Sequence, residues 1–176
     1  HGVPGAFMTL ITTAVLDQIA VSSATPLPAE QILQAVHDGV CRSLGITREK
    51  PGMDGLDCAV IRLDRAADRL EFAGASIDLY QVTPDGATTR HRGARTTLGY
   101  KLVDEPLNLS AVALDVGQNS FVVTTDGLLT QIGESTGRVL GTRRFELALG
   151  EVEDNAPAKL VRAIARLLKN WQGREE

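Results

Sequence analysis

Past Gly55 the apolar residues of this chain stop recurring every three or four positions and begin to alternate, and from Phe145 the helical spacing returns. Helix side chains repeat about every 3.6 residues and strand side chains about every two, so a change of period is a change of element. The order that follows is helices, a block of strands, then helices again. A sheet with an apolar face needs helices or a second sheet to cover it, and consecutive strands without intervening helices exclude a doubly wound nucleotide fold. The predicted class is α+β.

Leu10, Ile11, Ala14 and Val15 follow Pro4, which a first helical turn tolerates, and they predict a helix over about residues 4–21. Ile32, Leu33, Val36, Val40 and Leu44 form a second stripe that stops near Gly45. Leu56 to Leu63 and Arg69 to Ala75 read as a hairpin around Asp64 to Asp68. Ile77 to Val82 and Thr88 to Arg92 read as another, closed by Thr83, Pro84, Asp85 and Gly86, where proline presets the turn and glycine accepts positive φ. Ala111 to Val116 and Ser120 to Thr125 are two more strands, expected near the sheet centre. Phe145 to Leu149 is a short helix; Leu160, Ile164, Leu167, Leu168 and Trp171 share one face of a longer one, capped near Asp154 and Asn155.

The 176 residues suit one domain, 1–176, with enough apolar residues for a real core. A net charge of −4 argues against a nucleic-acid surface, whose footprint would be basic. No stretch approaches the roughly 20 apolar residues of a membrane span. Only Cys41 and Cys58 occur, so neither a disulfide framework nor a cysteine metal cluster is indicated, and a cytoplasmic setting fits.

Two segments carry the chemistry. His1, Gly2, Val3, Pro4, Gly5, Ala6, Phe7 and Met8 form a glycine and proline loop that feeds an apolar helix. Thr124, Thr125, Asp126 and Gly127 put a carboxylate where an apolar strand ends. A carboxylate at the exit of a buried strand must be paired, hydrogen-bonded or metal-bound to offset its desolvation. Taken alone, ordinary turn chemistry is the stronger explanation of an Asp-Gly pair, and a helix entry that of the first segment.

The wording of both segments resembles one family. The run from His1 to Met8 is similar to the second half of the SpoIIE-type phosphatase motif, in which an aspartate and a glycine precede His, Gly, Val, Pro, Gly and Ala. Phe72, Ala73, Gly74 and Ala75 resemble its central strand. Thr125, Asp126, Gly127 and Leu128, with Gly133 and Gly141 behind them, resemble its acidic strand-end motif, and Asp54, Gly55 and Asp57 match an acidic segment of the SiaA-like branch of these type 2C-like (PPM) bacterial protein phosphatases.

The resemblance implies two antiparallel β-sheets packed as a sandwich flanked by α-helices. It implies hydrolysis of phosphoserine or phosphothreonine by two Mn2+ or Mg2+ ions, hard cations that take oxygen ligands. Asp126 carries over as the catalytic metal ligand, with His1, Gly2 and Gly127 adjacent to the site. Asp54 and Asp57 either face the site or solvate their loop. The implied partner is a phosphorylated STAS-domain anti-sigma antagonist in bacterial partner-switching signalling. A homodimer is compatible with this reading, and a membrane enters only through other parts of a parent protein.

The family's first bridging aspartate would fall just before His1 and its later aspartates just after Glu176, so the chain reads as trimmed at both ends and is expected to bind metal weakly by itself. The rival reading is a catalytically silent relative that binds a partner. An anti-sigma kinase is a poorer third, because its nucleotide boxes are missing. His37 and His91 are assigned to the surface, Met8 and Phe7 to the core, and Arg90, Arg92 and Arg95 to a solvated basic cluster.

Overall fold

The structure is a computed structural model that describes residues 2–22, 26–52, 55–100, 107–134 and 136–173. Its elements in chain order are α1 (Gly2–Ser22), α2 (Ala29–Leu44), β1 (Cys58–Asp64), β2 (Arg69–Ala75), β3 (Leu79–Val82), β4 (Thr88–His91), β5 (Val112–Asp115), β6 (Ser120–Val123), α3 (Asp126–Leu129), α4 (Gly141–Gly150) and α5 (Pro157–Trp171). The strands form two three-stranded sheets, ordered β1-β2-β5 and β4-β3-β6. The chain divides into two compact units, His1–Ile77 with Arg92–Leu114, and Asp78–His91 with Asp115–Glu176.

In the first unit α2 lays Leu33, Val36 and Val40 against Ala73 and Ala75, all fully buried, with Cys58 and Val60 of β1 beside them. The helix stops at Gly45, which adopts φ 62. Its N–H donates to Arg42 O and that of Ile46 to Cys41 O, the paired closure that a left-handed residue permits. β1 and β2 pair antiparallel from Cys58↔Ala75 to Asp64↔Arg69. Asp64 closes their turn by accepting from the N–H groups of Ala66 and Ala67, and Asp68 takes φ 53.

Gly74 has a steric reason to be glycine. Its carbonyl accepts from Ala94 N–H at 2.8 Å, and a Cβ there would strike Ile77 O and come within 2.9 Å of the Phe72 ring. The Ala-Gly strand end picked out by motif is therefore a close backbone crossing on the middle strand of its sheet.

The second unit is built on β3. It pairs β4 from Leu79↔His91 to Val82↔Thr88 and β6 from Leu79↔Val123 to Val82↔Ser120, both antiparallel. The β3–β4 turn has Gly86 at φ 85 and is closed by Thr83, whose hydroxyl donates to the Asp85 carboxylate. Tyr80 and Val82 pack with Phe145, Leu149 and Leu160 from α4 and α5, and the Tyr80 and Phe145 rings meet edge to face at 5.0 Å.

Four expectations need correction. β5 and β6 are edge strands of different sheets among the described strands, not central. β5 alternates between half-buried and exposed residues and β6 is half-buried up to its exposed last residue, whereas the middle strands β2 and β3 are buried almost throughout. Phe7 is 59% exposed, because α1 turns Met8, Ile11, Val15 and Ile19 toward α2 instead. His37 is fully buried and accepts from Gly99 N–H through Nδ1 at 3.0 Å. α5 is entered through Ala156 and Pro157; Asp154 accepts from Ala156 N–H, while Asn155 spends its amide on Val82 O and Gln118 O.

Candidate functional site

β6 ends at Val123, Thr125 is extended, and Asp126 is the first residue of α3. A carboxylate suits that position, since it faces the positive end of the peptide dipoles. The turn is closed on its main chain by Thr130, whose N–H and hydroxyl both donate to Asp126 O, at 2.8 and 2.9 Å. The Asp126 side chain is exposed.

That exposure corrects the burial argument for Asp126. β6 is only half-buried, and a hydrated carboxylate at its exit suffers no desolvation that a metal must offset. Its assignment as a ligand rests on the motif. Gly127 is likewise not sterically required, because an added Cβ would meet only Thr125 Oγ1, at 3.6 Å.

His1 and Asp54 lie outside the described residues. Gly2 begins α1, and Asp57 is exposed ahead of β1, accepting from the Thr97 hydroxyl at 2.8 Å. Asp126 and Gly127 thus stand together on α3, and Gly2 and Asp57 belong to the other unit. Among the described residues no group of three His, Cys, Asp or Glu side chains could hold a metal ion. Asp126 is a hard oxygen donor open to water, right in kind for Mn2+ or Mg2+ and by itself too few ligands for a site.

The remaining reactive groups are accounted for structurally. Burial pushes both cysteine thiols up, Cys41 with added help from Asp38 and partly offset by Arg42, so neither is poised as a thiolate. Arg90 is not offered to a partner: its Nε and Nη2 donate to Asp78 Oδ2 at 2.8 and 2.5 Å, with Glu146 at 3.9 Å. Arg92 and Arg95 are exposed. One open groove of about 700 Å3 is lined by Arg62, Asp64, Arg65, Arg69 and Glu71, and another of about 550 Å3 by Glu151, Glu153, Lys159, Arg162 and Arg166. Neither contains a motif residue.

His91 is half-buried on β4 with Nε2 2.9 Å from Gln81 Oε1, and burial pushes its imidazole below the ordinary value. The unfolded chain therefore takes up this proton at a higher pH than the folded one. Its contribution is intact above the ordinary histidine pKa of about 6.5 and is lost as the pH falls through it toward the lower folded value. Melting temperature should consequently drop more steeply in the native protein than in His91→Gln between about pH 7.5 and pH 5.5; parallel profiles would exclude this contribution.

A family model described as stage II sporulation protein E (SpoIIE) matches residues 1–176. No curated protein matches the chain. Among solved structures, the SiaA-PP2C domain of Pseudomonas aeruginosa is similar at a TM-score of 0.79 and 29% identity, over 99% of this chain and 66% of that one. The chain thus spans just under two thirds of that domain. RsbX, solved in complex with magnesium, is similar at a TM-score of 0.59 and 9% identity over 94% of this chain and 67% of that one, a likeness of fold alone. The family and branch that the sequence motifs resemble are the ones these matches reach, and the α+β arrangement of two antiparallel sheets with helices agrees with theirs.

Proposed function

We propose that this chain, which belongs to the SpoIIE family and has the fold of a PP2C-type phosphatase domain, is a metal-dependent protein serine/threonine phosphatase. The observation that carries the reading is the family match over residues 1–176, with the motif's Asp126 standing ionisable and water-exposed at the head of α3.

On this reading Asp126 contributes carboxylate oxygens to a divalent-cation site shared with other acidic residues of the protein. When bound, Mn2+ or Mg2+ supplies an acidified water for attack on phosphorus and neutralises charge on the phosphoryl oxygens. The chain's own part is positional. Thr130 occupies the Asp126 carbonyl with two donors, which fixes the backbone and leaves the carboxylate unencumbered. The substrate is a phosphoserine or phosphothreonine on a regulatory protein of STAS type. The setting is the cytoplasm, a reading that the two free cysteines support.

The test is phosphate release from a serine-phosphorylated STAS-domain protein by the full-length protein. Release should require added Mn2+ or Mg2+ and stop with a chelator. Binding of the phosphoprotein without any release at saturating metal would favour the silent, partner-binding reading instead.

A further inference from the structure

β1 stands at the edge of its sheet among the described strands, and none of its seven residues is buried, whereas its neighbour β2 is buried almost throughout. An edge strand offers a row of backbone N–H and C=O groups to any other strand, and proteins guard such edges with a proline, a bulge or a free charge. β1 lacks all three. It contains no proline, and its register with β2 runs unbroken over seven pairs, which leaves no bulge. Its two charges are engaged within the hairpin: Arg62 donates to Glu71 directly opposite on β2, and Asp64 accepts from the N–H groups of Ala66 and Ala67.

Cys58 and Val60 pack in the cluster that α2 covers, so by the alternation of a strand Ala59, Ile61 and Leu63 share the other face. Ile61 is 45% and Leu63 52% exposed there. This pattern is complementary to itself. Laid antiparallel against a second copy with Ile61 opposite Ile61, all seven residues find a partner: Ala59 meets Leu63 on the apolar face, Val60 meets Arg62 and Cys58 meets Asp64 on the other. No like charges stand opposite each other in that register. Moving the axis to Arg62 opposes two arginines, and moving it to Val60 sets Leu63 against Asp57 beyond the strand.

We propose that β1 is the contact surface for a second copy of this chain, paired edge to edge about Ile61 so that two three-stranded sheets become one sheet of six. Each copy offers the same strand, so the contact is two-fold and closes on itself. The proposal is independent of the role of Asp126.

The experiment combines disulfide trapping with sedimentation velocity on the full-length protein. Opposed residues of an antiparallel pair have Cα atoms about 4.5–5.5 Å apart, within the span of a disulfide, so Ile61→Cys should link two copies under mild oxidation. Leu63→Cys should stay unlinked, because the two copies of that position stand four residues apart along the ladder, about 13 Å. Ile61→Lys sets like charges opposite each other and should raise the dimer dissociation constant about tenfold or more while its circular dichroism stays native. A native protein that sediments as a monomer, or an Ile61→Cys that stays unlinked, overturns the proposal; a strand of other origin covering β1 would give that result. Linking at Leu63→Cys as readily as at Ile61→Cys overturns the register. Exposed Leu10 on α1 is the rival surface, and a dimer weakened by Leu10→Lys but not by Ile61→Lys would move the contact there. Ile61→Cys decides the question by itself should Ile61→Lys not fold.

Discussion

Asp126→Ala in the full-length protein should lower phosphate release by about 1,000-fold or more while leaving the fold intact. The size follows from the role proposed for it: as a ligand, Asp126 would hold a cation that contributes several kcal/mol to stabilising the transferring phosphoryl group, each 1.4 kcal/mol being about a factor of ten in rate. The separation from stability follows from exposure. Asp126 is water-facing, and the bonds that close its turn run from Thr130 to its main-chain carbonyl, which alanine retains. Exposed substitutions of this kind cost within about 0.5 kcal/mol. Asp126→Asn discriminates further, since it preserves shape and removes the charge that a hard cation requires. Loss of activity with an unchanged urea midpoint is the expected pair of results. Native activity in Asp126→Ala would remove Asp126 from the site.

The largest stability effect is expected at Phe145→Ala. Phe145 is fully buried on α4, in edge-to-face contact with Tyr80 and in one cluster with Val82, Leu149 and Leu160. Truncation forfeits the transfer energy of the ring and leaves a cavity between α4, α5 and β3, together about 3–5 kcal/mol. A domain is commonly stable by only about 5–15 kcal/mol, so this one change consumes a large share and should lower the urea midpoint accordingly. Tyr80→Phe provides the contrast. The Tyr80 hydroxyl is buried without a hydrogen-bond partner, and burial pushes its ionisation upward, so removing the oxygen should be neutral or stabilising. A loss at Tyr80→Phe as large as at Phe145→Ala would contradict the packing described.

Much of the framework was legible in local sequence. The β1–β2 and β3–β4 hairpins, the end of α2 at Gly45 and the apolar face of α5 follow from alternation, turn residues and helical spacing, all settled by neighbours within a few positions. His37 shows where that reading stops. Its polarity suggests a surface, yet it lies on the buried side of α2 because Gly99, 62 residues away, supplies an N–H to its ring. Phe7 shows the reverse, an apolar residue exposed because α1 presents a neighbouring stripe to α2. At the candidate site, the identity of Asp126 was readable from its motif, and its exposure was not.

What the sequence alone determined is the succession of elements, the turns between them and the family to which its motifs belong, because side-chain period and backbone preference act over a handful of residues. The tertiary structure decided which strands stand at sheet edges, that Asp126 faces water, and that Gln131 ties its turn to Trp171 and Gln172 about forty residues on. Those outcomes depend on hydrogen bonds and packing between segments distant in the chain, and no local pattern carries that information.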